Sequence, residues 1–180
     1  KKAGMSFFIG TVPSGELFHI KKRQENDGYR LYRSDHAGLE LKAALVKRLP
    51  KKGMNVHDPR PRHPRKADDY PVLCQGRMRQ SPCRRGNATP GDEPASFGIL
   101  VCGTGIGMSM TRQPHPRHPR ALCGCEFQAR ATRQHNNANV LCLGERVTGQ
   151  GVALDIAELF LNTAFEGGRH LRRINQIEGK

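Results

Sequence analysis

The 180-residue chain contains no Trp, only 6% aromatic residues, and has a mean hydropathy of -0.64. A chain so poor in large apolar side chains is expected to bury a core over part of its length and to pack poorly elsewhere. No apolar run approaches the roughly 18 residues of a membrane span. The first residues, Lys1 to Ile9, have no continuous apolar stretch of signal-peptide length, so a cytoplasmic location is expected. Acidic residues are also scarce, 16 against 30 Lys and Arg, for a formal charge of +14. That excess is confined to three islands, residues 1–33, 59–85 and 111–120, and the rest of the chain is close to neutral. The Pro- and Arg-rich islands 59–85 and 111–120 hold a single aromatic residue, Tyr70, and so lack the interleaved rings on which single-stranded nucleic acid stacks; neither a specific nucleic-acid partner nor a membrane partner is expected. The six Cys are expected to be reduced, because a chain of this length does not depend on bridges as small secreted domains do. Cys123-x-Cys125, with His115 and His118 upstream, lacks the spacing and the second matched pair of a structural zinc site.

What is present reads as alternating strands and helices. A short apolar patch at Leu31-Tyr32 runs into Ser34-Asp35-His36-Ala37-Gly38, and Leu41, Leu45 and Leu49 then repeat at helical spacing until Pro50 and Gly53. Met54 to His57 would form a second short strand. Gly98 to Cys102 is a continuous apolar run, as expected of a parallel strand buried on both faces, and it ends in Gly103-Thr104-Gly105-Ile106-Gly107. Asn139 to Leu143 is a similar run. Val152, Ile156, Leu159 and Phe160 mark one further helix, and Leu171, Ile174 and Ile177 another. This pattern predicts an α/β layered fold, whose ligands bind at the carboxyl ends of strands. Asp35-His36 and the Cys102 to Gly107 loop both fall there. Residues 59 to 97 differ: they hold seven Pro, and no ordinary helix fits between Pro71 and Phe97. Residues 115–120 repeat His-Pro-Arg.

Four ordered blocks carry a more specific signal. They are Ser34 to Gly38 with Leu41-Lys42, Gly98 to Ser109, Arg133-Gln134-His135-Asn136-Asn137 through Leu141, and Phe165-Glu166-Gly167-Gly168-Arg169-His170 with Arg173. Together they closely resemble the type B ribose-5-phosphate isomerases, in the family shared with galactose- and allose-6-phosphate isomerases. The resemblance implies a Rossmann-like three-layer α/β/α fold around a five-stranded parallel sheet, with disruption expected around 59–97 and 111–120. It also implies a metal-free, cofactor-free aldose–ketose isomerisation through a cis-enediolate, in a homodimer or tetramer whose sites combine residues of two subunits. The substrate pair it implies is ribose 5-phosphate and ribulose 5-phosphate. A six-carbon sugar phosphate, or an inactive derivative of the family, are the other readings.

By this resemblance Cys102 is the base that moves a proton between adjacent carbons, and a thiol at a strand end facing backbone N–H groups is held more easily as thiolate. The alternative is a small buried side chain ending a strand. Gly103, Gly105, Ile106 and Gly107 would bring amides close to the enediolate oxygen, with the Thr104 hydroxyl beside the reacting carbons. They also make a tight strand-to-helix turn. His135 aligns with the residue that opens the furanose ring. Asp35 and Asn136 would bind sugar hydroxyls, with capping of the Gly38 to Leu49 helix the other role open to Asp35. Arg169 and Arg173, four apart on one helical face, would converge on the phosphate, joined by His36; a solvated basic face is the alternative. His170 and Arg172 have no comparable claim. Residues 1–28 read as an N-terminal extension and 29–180 as one isomerase domain. Residues 29–33 are too polar for a buried strand, and the Arg/Pro/Cys/Gly-rich islands are what out-of-frame reading of a GC-rich gene produces. Translating the gene in every frame checks this, since an out-of-frame origin requires Ala-rich family sequence at the islands.

Overall fold

The computed structural model describes residues 30–49, 56–57, 91, 94, 97–111 and 119–177. Five parallel strands form one sheet: β1 (Arg30–Ser34), β2 (Val56–His57), β3 (Phe97–Cys102), β4 (Arg120–Leu122) and β5 (Val140–Gly144), in the order β2-β1-β3-β5-β4. The helices are α1 (Leu39–Arg48), α2 (Ile106–Met110), α3 (Glu126–Asn136), α4 (Gln150–Asn162) and α5 (Arg169–Ile177). The sheet is continuous across the places where the altered segments enter it, at Phe97 and Arg120. The expected extension, 1–28, and most of the islands lie outside the described residues.

The strand order follows from burial and handedness. Every residue of β3 and of β5 is buried, and the two strands pair from Gly98↔Val140 to Cys102↔Gly144 at the centre of the sheet. Because side chains alternate across a strand, β3 feeds two cores. Phe97, Ile99 and Val101 pack with Leu41 and Leu45 of α1, Ala129 of α3, and Ile156, Phe160 and Leu161 of α4. Leu100 and Cys102 pack on the opposite face with Met108, Val140 and Cys142. The steps from β1 to β2 and from β4 to β5 run one way across the sheet, and the step from β3 to β4 runs the other. Right-handed crossovers therefore place α1 and α3 on one face and α2 on the other, in agreement with the two cores. Each fully buried Leu or Ile here contributes about 1.5–3 kcal/mol.

The strand expected around Leu31-Tyr32 is β1, an interior strand bonded to β2 on one side and to β3 from Arg30↔Phe97 to Ser34↔Val101 on the other. The expectation that residues 29–33 are too polar for a buried strand concerns side chains that lie outside those described.

Cys102, Cys123, Cys125 and Cys142 are free thiols. Burial, with Cys125 close by, pushes the Cys123 thiol up to about 12 from 9.0. The fold favours the neutral thiol, so this contribution is complete below pH 9 and is lost as the pH climbs towards about 12. Wild-type stability is expected to fall by about 1–2 kcal/mol more than that of Cys123→Ala between pH 8 and pH 10.5. Denaturant titrations at the two pH values measure this, and equal losses would contradict it.

Candidate active site

Three loops meet at the carboxyl end of the sheet. After β1, the Asp35 N–H donates to the Val101 carbonyl at 3.2 Å, and Asp35 Oδ1 accepts from the Ala37 N–H at 2.9 Å. The Asp35 side chain thus shapes its own turn and does not cap α1, whose N-cap is Gly38. The first turn of α1 is held instead by a residue far away in sequence: Glu145 Oε2, just past β5, accepts from the Leu41 N–H at 2.8 Å. After β3, the Cys102 and Gly103 carbonyls accept from the Glu145 and Arg146 N–H groups at 2.9 and 3.0 Å. The strand ladder thereby continues into the loop and fixes it.

Within that loop the Gly105 N–H donates to Cys102 Sγ at 3.0 Å. A buried amide aimed at the sulfur is a fixed dipole where negative charge on it would sit. Gly105 reaches this geometry at φ +78, and a Cβ there would meet the Leu143 backbone at 2.9 Å, so only glycine serves. Thr104 is exposed, with its Oγ1 accepting from the Ile106 N–H at 3.3 Å. His36 is exposed beside Asp35. The structure therefore brings together Asp35, His36, Cys102, Gly103, Thr104, Gly105, Ile106 and Gly107.

The remaining predicted residues gather elsewhere. His135 and Asn136 end α3, and the chain turns at Asn137 (φ 50) to enter β5 at Val140, the amino end of the sheet. The Glu166 N–H donates to the Gln134 carbonyl at 3.1 Å and brings the start of α5 against this end of α3. Arg169 and Arg173 stand exposed on α5. Between them and α3 lies His170, 6% exposed, its ring stacked on His135 at 4.3 Å and 12°. Glu166 Oε2 lies 3.9 Å from His135 Nε2 and 3.7 Å from His170 Nε2. Burial first, then His135 and Arg169, hold the His170 imidazole below its ordinary titration range.

His135, Glu166 and His170 offer three ligand atoms within 4.8 Å of one another, the one such group among the described residues. The charges of Arg169 and Arg173 that disfavour protonation of His170 disfavour a metal cation there for the same reason. The sequence reading gave His170 no role; only the Glu166-to-His170 spacing hinted at it. It also passed over Glu145 and Arg133. Arg120 donates from Nη1 to the Met108 carbonyl at 2.8 Å and ties β4 to α2.

Cys102 and His135 therefore lie at opposite ends of the sheet. From Gly98, level with Val140, to Cys102 is four residues of strand, about 13 Å at 3.3 Å per residue. That is several times a hydrogen-bond length.

Known proteins share this fold and much of this sequence. A family model described as Ribose/Galactose Isomerase matches residues 32–177. "Probable ribose-5-phosphate isomerase B" of Mycoplasma pneumoniae is 37% identical over 148 residues, 80% of this chain and 89% of that protein. The solved ribose 5-phosphate isomerase B of Anaplasma phagocytophilum superposes with a TM-score of 0.70 at 36% identity, over 83% of this chain and 95% of that one. Ribose-5-phosphate isomerase B of Mycoplasma genitalium, solved with bound ribulose-5-phosphate, gives 0.68 at 36% identity, over 83% and 93%. With the family model spanning nearly all of the described fold and both clusters of site residues inside it, the chain belongs to the Ribose/Galactose Isomerase family, the family of the type B ribose-5-phosphate isomerases.

Proposed function

We propose that this protein interconverts ribose 5-phosphate and ribulose 5-phosphate through a cis-enediolate, at sites built from two copies of the chain. The observation that carries the reading is the placement of Cys102 and its amide loop at one end of the sheet and of His135 with the arginines at the other. Proton transfer requires heavy atoms within about 3 Å, so neither cluster completes the reaction alone. A two-fold pairing that sets one chain's carboxyl end against its partner's amino end makes two equivalent sites.

In such a site His135 takes the proton from the anomeric hydroxyl and returns one to the ring oxygen, which opens the furanose. Cys102, as thiolate, removes the proton from C2 of the aldehyde, and the electron pair moves into the C1–C2 double bond of an enediolate. The Gly105 region and Thr104 face the developing oxyanion, where fixed dipoles act most strongly. The proton then passes from sulfur to C1 as one moves from the oxygen on C2 to that on C1, which leaves the ketose. Asp35 and Asn136 hold sugar hydroxyls. Arg169 and Arg173 hold the phosphate, with His36 reaching it from the partner.

Mixing a Cys102→Ala chain with an Arg173→Ala chain under subunit exchange tests both the activity and the shared site. Each heterodimer contains one site with both defects and one with neither, so a random equal mixture should recover about a quarter of the wild-type ribose 5-phosphate isomerase rate. Heterodimers that form and stay inactive would refute the shared site. Wild-type dimers that leave ribose 5-phosphate unchanged would refute the substrate.

A further inference from the structure

We propose that His170 is a positioning residue that joins the ring-opening histidine to the phosphate clamp, fixing the plane of His135 through one face and the direction of Arg169 through one nitrogen. The inference deepens the proposed reading and rests on its roles for His135 and Arg169.

Four observations carry it. The His170 side chain is almost wholly buried, while His135, Glu166, Arg169 and Arg173 around it are all partly or fully exposed. Its ring lies 4.3 Å from that of His135 and 12° from parallel, so rotation of His135 about its long axis is blocked on one side. Arg169 Nε approaches His170 Nε2 at 3.5 Å as a donor. A guanidinium N–H only donates, so this contact calls for a lone pair on Nε2 and the proton on Nδ1, in competition with the Glu166 carboxylate, whose Oε2 lies farther off at 3.7 Å. The groups facing this imidazole are His135 from α3, Arg169 and Arg173 from its own helix, and Glu166 from the turn before it, and on balance they favour its neutral form.

The chemical consequence concerns Arg169. With Nε directed at His170, the two terminal nitrogens of the guanidinium point away together, the edge that takes two phosphate oxygens at once. The same neutral ring supports the imidazole that must open the sugar. His170 therefore sets two groups with one buried side chain, and their spacing is fixed by its size. Separating the two functions requires variants that keep one and lose the other. Phe preserves an aromatic face and has no acceptor, whereas Gln places an acceptor near the Nε2 position and has no ring.

The experiment has three readouts on the folded dimer. Binding of inorganic phosphate, followed by titration calorimetry, should weaken about three- to tenfold in His170→Phe and change less than about twofold in His170→Gln. The kcat for ribose 5-phosphate should fall about three- to tenfold in His170→Gln and less in His170→Phe. Nitrogen NMR of the wild-type protein near neutral pH should show His170 protonated on Nδ1 with Nε2 free, a measurement that needs no variant to fold. The proposal is overturned if His170 is protonated on Nε2, if the two variants move phosphate affinity and kcat by the same factors, or if neither moves either quantity. Phosphate affinity and the tautomer are both read without turnover, so a failure of the isomerase assignment would leave them measurable and would be recognised separately.

Discussion

Cys102→Ala is expected to lower isomerisation by about a hundred- to ten-thousandfold, the range supplied by a positioned general base, while substrate affinity changes little. Sγ is the acceptor of the Gly105 N–H at 3.0 Å, buried beside the loop whose Cys102 and Gly103 carbonyls accept from the Glu145 and Arg146 N–H groups. Among the described residues no neighbour is ready to replace it. Thr104 offers a hydroxyl, a far weaker base, and one carboxylate oxygen of Asp35 is occupied by the Ala37 N–H. Affinity should survive because the phosphate and the sugar hydroxyls are held by other side chains. The fold should survive as well: Cys102 belongs to a small cluster with Leu100, Met108, Val140 and Cys142, and losing one heavy atom there costs about 1 kcal/mol. A coupled assay with inhibitor binding measured in parallel separates the two effects. Turnover within tenfold of wild type would remove Cys102 as the base.

Arg133→Ala is expected to have the largest effect on stability, roughly 3–5 kcal/mol. The side chain is fully buried, with 0% of its surface exposed. Its Nε donates to the Thr163 carbonyl at 3.1 Å, and Nη1 donates to Asn137 Oδ1 and to the Ala138 carbonyl, each at 2.8 Å. The guanidinium stands 5.0 Å above the Phe97 ring and 5.9 Å from that of Phe160. Truncation leaves buried acceptors without their donor and a void between two aromatic rings. At about 2–4 °C per kcal/mol for a chain of this size, the melting temperature should fall by about 10 °C. Arg133 also holds the left-handed turn that follows His135, so kcat should fall too at temperatures where the variant is folded. Arg133→Lys should recover only part of the loss, because one ammonium cannot reach three acceptors in fixed directions. A melting temperature within 2 °C of wild type would show that these contacts contribute little.

The sequence by itself determined the elements whose cause is local. The unbroken apolar runs at Gly98–Cys102 and Asn139–Leu143 announced two central parallel strands, because a strand covered on both faces has no polar side to alternate with. The Leu41, Leu45, Leu49 spacing announced α1, and the glycines after Cys102 marked the loop where backbone must approach closely. The family resemblance then supplied the roles of Cys102, His135 and the arginine pair.

Tertiary structure decided the rest. The interior place of β1, the capping of α1 by Glu145 across 104 residues, and the burial of Arg133 between two aromatic rings depend on groups that only the fold brings together. His170 is the clearest case: in sequence it is one more polar residue in an Arg-rich helix, and its burial against His135 follows from the docking of α5 on α3. The separation of Cys102 from His135 is likewise invisible in sequence order. It arises because a parallel sheet returns every crossover helix to the opposite end, so residues at the two ends of a strand–helix unit are held apart by the length of the strand.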